Sequence, residues 1–542
     1  MDTEFKLQLP HGAAAAAERK FHALPVTSIR LRARYFDTRD AALRSVGLTL
    51  RLRQEGLRWV QTATFAGAGL PAREEHEVDL GGVHEAPPAL PDVSLHQGTP
   101  VGKLLQQALG RDGKAAQALV EMFSTDVERL RQQVQVGESS VDVALDRGEV
   151  TVGTGPDGRS LAIEELELEL TSGTVGDLAA LARQWCGELE AWVGTESEAD
   201  KGWRLVGAPL GADHRAVRAT PPLPQKASGA ALMRSLVARC LAEFLPHADR
   251  VASGRHDEEA VHQLRVGIRR LRTVLRELPA LAHGVDPAWE PALAATFGRL
   301  GQWRDQSNIE AGLLPELARH GAPDLPTAGP NHAAADEPSA AVREQAFQQC
   351  LIALMAFAAE DPDAGGGLNP KRTRALLRKK VKRLHDRLAS AAGEFEALAP
   401  AEQHGARKRL KRLRYLVEFV GPLFDPERAD AFIKRIKPAQ DALGLQNDEA
   451  VALETLQALT SRHAQAWFGV GWYSARRAGL AKASRKALVK AVVPMLGQRR
   501  GPCPAGCDRA LEYALVTAPE KRDPALLAKL DAVAGRVLNR AA

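Results

Sequence analysis

The first 206 residues alternate between hydrophobic and polar positions in short segments that are separated by turn residues. Alternation with a period of two predicts half-buried strands joined by turns. Two segments with helical spacing, 100–109 and 175–192, interrupt this pattern. The predicted strands are 2–9, 29–38, 47–54, 58–65, 74–80, 123–136, 140–145, 149–154 and 160–171.

From residue 230 onward the hydrophobic spacing changes to a period of 3.6, which predicts helices. A linker is predicted at 207–229, where Pro and Gly are frequent. Loops at 321–338 and 361–367 divide the helical region into two blocks. We therefore predict an all-α domain over 230–516, with one repeat at 230–320, a second repeat at 368–460 and following helices, and a helical tail at 517–542.

The two halves of the chain differ in charge. Residues 1–206 hold 22 basic and 31 acidic side chains, whereas residues 207–542 hold 50 basic and 36 acidic ones. An acidic half joined to a basic half indicates two domains with different ligands. No run of about 18 apolar residues and no leader-like N-terminus is visible, so neither a transmembrane helix nor a signal peptide is predicted, and no membrane insertion is expected. Five scattered cysteines favour a reduced, cytoplasmic protein.

Both helical blocks carry the same spacing of basic residues. A histidine is followed by basic residues three, seven, eight and ten positions later, and by an aspartate, Asp305 or Asp448, after 43 or 44 positions. A match in both motif and spacing indicates an internal duplication. The two sets are His262, Arg265, Arg269, Arg270 and Arg272, and His404, Arg407, Lys411, Arg412 and Arg414.

On a helix, the residues at offsets 0, +3, +7 and +10 share one face, opposite leucines such as Leu264 and Leu271 that would face a core. Few acidic residues lie four positions away, so the like charges repel one another. A repulsive face that occurs twice predicts a polyanionic ligand: polyphosphate, nucleic acid or an anionic membrane surface. Proteins that bind nucleic acid usually provide aromatic residues for base stacking. These faces have almost none, with Tyr415 as the one exception nearby, so nucleic acid is the less favoured ligand.

The motif His-x-x-Arg-x-x-x-(Arg/Lys)-Arg-Leu-Arg, present twice, resembles that of the conserved-histidine α-helical (CHAD) domain. The resemblance covers about residues 230–516. It implies two four-helix bundles around a basic channel that binds inorganic polyphosphate, with the ten residues of the two sets as contacts. Polyphosphate granules are a candidate partner.

In the N-terminal half, charged residues recur at every second position of the predicted strands, and such residues point to the same face. Buried charges need partners. The rows therefore predict either a site for metal and phosphate or the solvent-facing side of amphipathic strands. The rows are Asp2, Glu4 and Lys6; Arg51 and Arg53; and Glu165, Glu167 and Glu169.

The segment Asp2-Thr3-Glu4-Phe5-Lys6 resembles the ExExK signature of the CYTH, or triphosphate tunnel metalloenzyme, superfamily. Arg73-Glu74-Glu75, Arg129, Asp146-Arg147-Gly148-Glu149 and the strand that contains Glu165 resemble its later strands. The resemblance implies a tunnel over residues 1–206 that binds and hydrolyses triphosphate with Mg²⁺ or Mn²⁺. The CYTH–CHAD combination implies an inorganic triphosphatase.

Carried over residue by residue, the resemblance implies three sets of site residues. Catalysis involves Lys6, Glu165 and Glu167. The metal ligands are Asp2, Glu4, Glu165, Glu167 and Glu169. The triphosphate contacts are Lys6, Arg51, Arg53, Arg73 and Arg129.

Four positions depart from the family pattern. Asp2 replaces a Glu, Thr64 and Glu198 each replace a Lys, and Asp126 lies where a basic residue is common. Since each charge-assisted contact contributes roughly 1.5–3 kcal/mol, lost cations would weaken the binding of a triphosphate.

The sequence thus predicts a multidomain α and β protein. An N-terminal antiparallel β-barrel tunnel with helices would precede an all-α domain of two duplicated helical bundles. Metal-dependent hydrolysis of triphosphate, coupled to polyphosphate binding, is the predicted function. A polyphosphate-binding protein with weakened catalysis and a nucleic-acid-binding protein are the alternatives.

Overall fold

A computed structural model describes residues 3–21, 26–66, 73–82, 88–110, 119–153, 158–207, 223, 226–308, 312, 314–323, 337–361 and 367–492. The predicted tail at 517–542 and Asp2 lie outside these residues.

The N-terminal half forms one antiparallel sheet of nine strands, in the order β5-β4-β3-β2-β6-β7-β8-β1-β9. Among the described residues no pairing joins the edge strands β5 and β9, so the barrel is not strictly closed. The predicted fold class is confirmed. The strands are β1 Glu4–Gln8, β2 Thr27–Thr38, β3 Leu48–Glu55, β4 Arg58–Ala66, β5 Arg73–Gly82, β6 Leu119–Val136, β7 Ser139–Val152, β8 Arg159–Ser172 and β9 Trp192–Val193.

Apart from shifts of up to four residues at the ends of strands, two of the predicted assignments are wrong. Segments 140–145 and 149–154 belong to the single strand β7, which passes through Gly148 without a break. A Cβ at position 148 would lie 2.0 Å from the carbonyl oxygen of Asp126, so glycine is required by close packing rather than by a turn. The helix predicted over 175–192 ends at Glu188, and Trp192 begins β9.

Within the described residues, five α-helices accompany the sheet: α1 Ala14–Phe21, α2 Ala42–Ser45, α3 Pro100–Leu109, α4 Val175–Glu188 and α5 Glu198–Val206. One face of β1 and β8 is apolar and packs with α1 and α4 through residues such as Leu7, Leu168 and Trp185. The opposite face, here called the charged face, carries Lys6, Arg51, Arg129, Asp146, Glu165 and Glu167. Helix α5 covers part of this face, because Trp203 packs against Phe123 and Tyr35.

The C-terminal half is helical, as predicted. Its helices are α6 Gly229–Ala252, α7 Glu258–Glu277, α8 Trp289–Asn308, α9 Leu314–Arg319, α10 Pro338–Arg343, α11 Gln345–Ala359, α12 Pro370–Gly393, α13 Pro400–Val420, α14 Pro426–Leu459 and α15 Ala466–Ala491. The predicted apolar faces of α7 and α13 are buried, as Leu264, Ile268, Leu410 and Leu413 are. None of the helices in the described residues has an apolar stretch that could span a bilayer.

The two halves share one hydrophobic core. Buried side chains continue from the apolar face of the sheet, through α4, into α6 and α11. Leu168 and Trp185 of the sheet domain belong to the same cluster as Phe244 and Leu351 of the helical domain. Burial of apolar surface between the domains stabilises their association.

Candidate functional site

Three carboxylates converge on the charged face of the sheet. The antiparallel register places Asp146 of β7 opposite Glu165 of β8, and Glu167 follows two residues later on the same face. One oxygen from each of the three lies within 4.8 Å of the others. Asp146 and Glu165 are fully buried. Carboxylate oxygens this close together suit a hard divalent cation, so the residues fit the metal that the family resemblance implies.

Two lysines neutralise Glu165. Lys6 Nζ lies 2.9 Å from Glu165 Oε1 and 3.1 Å from Glu167 Oε1, and Lys201 Nζ of α5 lies 2.6 Å from Glu165 Oε2. Burial raises the pKa of Glu165, but Lys6 and Lys201 outweigh it and hold that pKa far below the usual value. Burial also opposes the charge of Lys6, yet the two glutamates keep its pKa well above normal.

Arg129 of β6 is the third cation. One of its guanidinium nitrogens lies 2.6 Å from both Asp146 and Glu167. Burial raises the pKa of Asp146 to about 6, although the hydrogen bonds and charge of Arg129 act in the opposite direction. Three carboxylates and three cations therefore balance within this part of the charged face.

Arg51 and Arg53 of β3 form a second row of cations. Arg51 Nη2 lies 3.7 Å from Glu75, whereas Arg53 contacts Glu55 and lies 3.5 Å from Glu77. The Nε atoms of both arginines are buried, and neither has a hydrogen-bond acceptor within the described part of the chain. The side chains as a whole remain partly exposed, 12% for Arg51 and 19% for Arg53, and arginine binds phosphate oxygens well.

The remaining predicted residues of this half lie at its margins. Glu4 and Glu169 face each other in the β1–β8 register, and both are exposed. Arg73 begins β5 opposite Ala66. Asp2 lies outside the described residues. The structure thus gathers Glu165 and Glu167, but it joins them to Asp146 rather than to Glu4 or Glu169.

The residues that depart from the family pattern lie at different distances from the three carboxylates and their cations. Glu198, at the start of α5, accepts a hydrogen bond of 2.8 Å from the Tyr35 hydroxyl, and its charge acts on Arg51 and Arg129. Thr64 is buried opposite Glu75.

The expectation that Asp126 alters the site is wrong. Side chains alternate along β6, so Asp126 points to the face opposite Arg129 and pairs there with Arg30 and Arg32 at 2.7 and 3.2 Å. A cavity of about 680 Å³ lies on that opposite face, and Arg147 also lines it.

In the helical domain, basic residues of both repeats meet. Burial, followed by the positive charges of Arg269, Arg407 and Arg304, lowers the pKa of Lys411 to about 7. Burial and Arg304 also lower the pKa of His262. We call His262, Arg265, Arg269, Arg304, His404, Arg407 and Lys411 the basic cluster. Arg304, from α8, was absent from the predicted contacts.

Local packing holds part of this cluster in place. The guanidinium groups of Arg265, Arg269 and Arg272 lie 4.4, 5.2 and 5.4 Å from the ring centre of Phe297. Arg265 also donates to the carbonyl oxygen of Phe297 at 2.9 Å. A Cβ at Gly301 would come within 2.5 Å of this guanidinium, so glycine leaves room for Arg265 at this position. Cation–π contacts with the Phe297 ring thus help to hold the three arginines in position.

The four predicted contacts outside the basic cluster bind carboxylates or amides of other helices. The arginines eight positions after each histidine form reciprocal ion pairs between repeats: Arg270 with Glu418 at 2.8 Å, and Arg412 with Glu277 at 3.1 Å. The arginines at +10 bond within their own repeat, Arg272 to Glu290 and Arg414 to Gln440. Sequence neighbours did not reveal these partners because they come from distant helices.

Three residues that contact the site were not predicted as site residues from the sequence. Asp146 stands in a quoted motif, but only the β7–β8 register brings it to Glu165. Lys201 lies 36 residues from Glu165 and reaches it through the packing of α5. Gln8 donates to the same carboxylate at 2.7 Å. The alternation in β1 was the one available signal for Gln8, which lies on the same face as Lys6.

Comparison with known proteins agrees with this division. The CYTH domain profile matches residues 1–202, and the CHAD domain profile matches residues 235–457. An inorganic triphosphatase of Haemophilus influenzae is 27% identical over 189 residues, which make up 34% of this chain and 49% of that protein.

The chain is also similar to a second curated protein over a short segment and to one solved structure of a CHAD domain. An S-methyl-5'-thioadenosine phosphorylase of Cereibacter sphaeroides is 66% identical over 53 residues, 10% of this chain and 18% of that protein. The chain thus spans less than half the length of either curated relative. The crystal structure of the CHAD domain from the plant Ricinus communis superposes with a TM-score of 0.40 at 25% identity, and covers 49% of this chain and 94% of that one. With both domain profiles matched in this order, the chain belongs to the proteins in which a CHAD domain follows a CYTH domain.

Proposed function

We propose that the N-terminal domain hydrolyses inorganic triphosphate with Mg²⁺ or Mn²⁺ and that the helical domain binds inorganic polyphosphate, at polyphosphate granules in the cytoplasm. The observation that carries the catalytic part is the group of three carboxylates beside Lys6, Lys201 and Arg129. Similarity to an inorganic triphosphatase over 189 residues supports it.

In this proposal Asp146, Glu165 and Glu167 hold the metal. A bound divalent cation would offset phosphate charge and lower the pKa of a coordinated water. Arg51 and Arg53, whose side chains are partly exposed, donate to phosphate oxygens. Lys6 and Arg129 contact the carboxylates and are 18% and 28% exposed, so each can contact substrate as well.

The reaction needs no protein nucleophile. A water oxygen attacks the terminal phosphorus, a bond from that phosphorus to the bridging oxygen breaks, and phosphate and pyrophosphate leave. Glu167, which is half-buried, orients the water, and the proton that the water loses leaves with the phosphate product. Phosphoryl transfer depends mainly on positioning and charge stabilisation, which this set of fixed charges can supply.

Polyphosphate binding by the helical domain rests on the basic cluster. Burial, followed by the positive charges of Arg269 and Arg407, lowers the pKa of Lys411, so this lysine is held close to other cations. A polyanion would relieve this repulsion, and arginine offers paired donors to phosphate oxygens.

The test measures phosphate release from tripolyphosphate with Mg²⁺ or Mn²⁺. We expect activity in the wild-type protein and its loss in Glu165→Gln/Glu167→Gln. Asp126→Asn, on the opposite face of the same sheet, is the matched control and should remain active. A wild-type protein without phosphate release, or a double variant that remains active, would contradict the proposal.

A second candidate is a polyphosphate-binding protein whose catalysis has weakened. Glu198 favours it, because this carboxylate lies among the cations that would bind triphosphate. Tight polyphosphate binding without phosphate release from tripolyphosphate would support this candidate over the first.

A further inference from the structure

The segment 192–197, here called the junction segment, connects α4 with α5 and lies between the two domains. On one side it belongs to the sheet, since β9 pairs with β1. The amide of Gly194 donates to the carbonyl oxygen of Lys6 at 2.9 Å. The junction segment therefore bonds directly to the backbone of a residue on the charged face.

On its other side the junction segment is bound by Asp249 of α6. Oδ1 of Asp249 accepts from Trp192 Nε1 at 3.0 Å, and Oδ2 accepts from the amides of Thr195 and Glu196 at 2.8 and 3.1 Å. The Thr195 hydroxyl adds a fourth bond at 3.1 Å. Asp249 is 97% buried, with 3% of its surface exposed. A buried carboxylate that accepts several N–H groups orders the backbone around it.

Two other residues of the helical domain strengthen this attachment. Gln348 of α11 is buried, and its Oε1 accepts from the amide of Val193 at 2.9 Å. Arg255, which follows α6, pairs with Glu196 at 3.0 Å. Glu196 also pairs with Arg204 of α5 at 2.8 Å, so one carboxylate joins the helical domain to α5.

The junction segment leads directly into α5. Ser197 and Asp200 form a capping box that begins the helix. Glu198, the first residue of α5, contacts Tyr35, and Lys201, one turn into the helix, contacts Glu165. The position of the junction segment thus determines where α5 begins, and with it the place of two charges on the charged face.

We propose that Asp249 is a positioning residue for the N-terminal site: it anchors the junction segment, and through α5 it places Lys201 and Glu198. The helical domain then completes the N-terminal site instead of acting only as a separate binding module. This inference rests on the proposed function, because the effect is measured on triphosphate.

The test compares Asp249→Ala and Asp249→Asn in the full-length chain. Loss of the carboxylate leaves three N–H groups without their acceptor, so α5 shifts. Displacement of a catalytic group by about 1 Å can reduce kcat/KM about a hundredfold, and we expect a loss of that order for Asp249→Ala. Asp249→Asn keeps one acceptor oxygen and should lie between this variant and the wild-type protein.

A milder variant and a control guard against general unfolding. Arg255→Met removes one ion pair to Glu196 while Arg204 still holds it, and should reduce kcat/KM less than Asp249→Ala. Asp425→Ala removes a helix-capping aspartate of α14, which accepts from the amide of Arg428, far in sequence from the junction. We expect Asp425→Ala to stay within about twofold of the wild-type rate. Polyphosphate affinity should be unchanged in all four variants.

A double variant tests the route through α5. If Asp249 acts by placing Lys201, Asp249→Ala should lower kcat/KM little further once Lys201→Met is present. Losses that multiply, or a folded Asp249→Ala protein with wild-type kinetics, would overturn the inference.

A wild-type protein that binds tripolyphosphate without hydrolysing it would refute the proposed activity but not the positioning role. Calorimetry then decides, since Asp249→Ala must weaken that binding about tenfold or more for the inference to stand. Absence of both binding and hydrolysis in the wild-type protein would overturn both proposals.

Discussion

The charged face of the sheet and the basic cluster of the helical domain gather cations in opposite ways. On the charged face, Lys6, Lys201 and Arg129 each contact a buried carboxylate within 3.1 Å. In the basic cluster, burial and then the charges of Arg269 and Arg407 lower the pKa of Lys411 to about 7, although Asp448 acts in the opposite direction. On the charged face each of these cations has a close carboxylate partner, whereas in the basic cluster Asp448, 4.0 Å from Arg407, faces several cations at once.

This difference teaches what holds each group of cations in place. Removing one member of a buried ion pair leaves a buried charge without a partner, which destabilises the fold. Removing one member of a group of like charges relieves repulsion. A substitution on the charged face should therefore reduce both stability and activity, whereas a substitution in the basic cluster should reduce binding without reducing stability.

Arg129→Met should have the largest effect. It leaves Asp146 and Glu167 without their guanidinium partner, so the free energy of unfolding should fall by about 3–5 kcal/mol. An arginine that stabilises a phosphoryl-transfer transition state contributes about a thousandfold or more, and phosphate release should decrease accordingly. Urea unfolding and phosphate release measure the two effects.

Arg131→Met, two residues along the same strand, is the control. Arg131 is 55% exposed and pairs with Asp142, so its loss should reduce stability by less than about 1 kcal/mol. If the Arg129→Met and Arg131→Met proteins were equally stable, the buried ion pairs of Arg129 would not contribute more to stability than an exposed pair.

Arg269→Met should weaken polyphosphate binding without weakening the fold. Loss of one charge-assisted contact of roughly 1.5–3 kcal/mol reduces affinity about tenfold to a hundredfold. The melting temperature should stay the same or rise, because a like charge is removed from beside Lys411. Calorimetry with long-chain polyphosphate and thermal unfolding test both statements.

The neighbouring Arg270→Met should behave in the reverse manner. Arg270 joins the repeats through Glu418 and contacts Glu243, so its removal lowers stability and changes affinity less. If Arg269→Met destabilised the protein and Arg270→Met did not, the contrast between the two arginines would be contradicted.

Polyphosphate affinity should depend on pH through Lys411. This lysine loses its proton above about pH 7 in the free protein, whereas a bound polyanion favours the charged form. Binding above that pH therefore takes up a proton, and affinity should decrease by up to about tenfold per pH unit. Lys411→Arg keeps its charge and should remove most of this dependence in calorimetric titrations. An identical pH dependence in both proteins would contradict the assignment.

Glu198→Gln should have the smallest effect. Removing this carboxylate from beside Arg51 and Arg129 increases the positive charge available to triphosphate, and a change of about 1 kcal/mol corresponds to roughly fivefold tighter binding. The KM for tripolyphosphate measures it. Glu164→Gln, on the opposite face of β8, should leave KM unchanged. A weaker affinity in Glu198→Gln would mean that Tyr35 and Glu198 support the site instead of opposing it.

The sequence predicted the elements of the fold better than the contacts of the sites. Alternation located β3 and β8 within a few residues, and the 3.6-residue period located the helices. It failed at Gly148, where close packing looked like a turn, and at Trp192, where two residues pair as a strand because the helical domain holds them. For the sites, alternation placed Glu165 and Glu167 on one face, but Asp146 and Lys201 joined them only through register and through the packing of α5.

The sequence by itself determined the type of each element, the order of the two domains and the duplication of the basic motif, because these follow from the local periodicity of the chain and from repeated spacing. Only the tertiary structure decided which charges have partners. Arg270 and Arg269 are adjacent in the sequence, yet one pairs with Glu418, 148 residues away, while the other lies beside Lys411. Partner choice depends on helix packing and strand register, which bring distant residues within a few ångströms, and no local pattern records those distances.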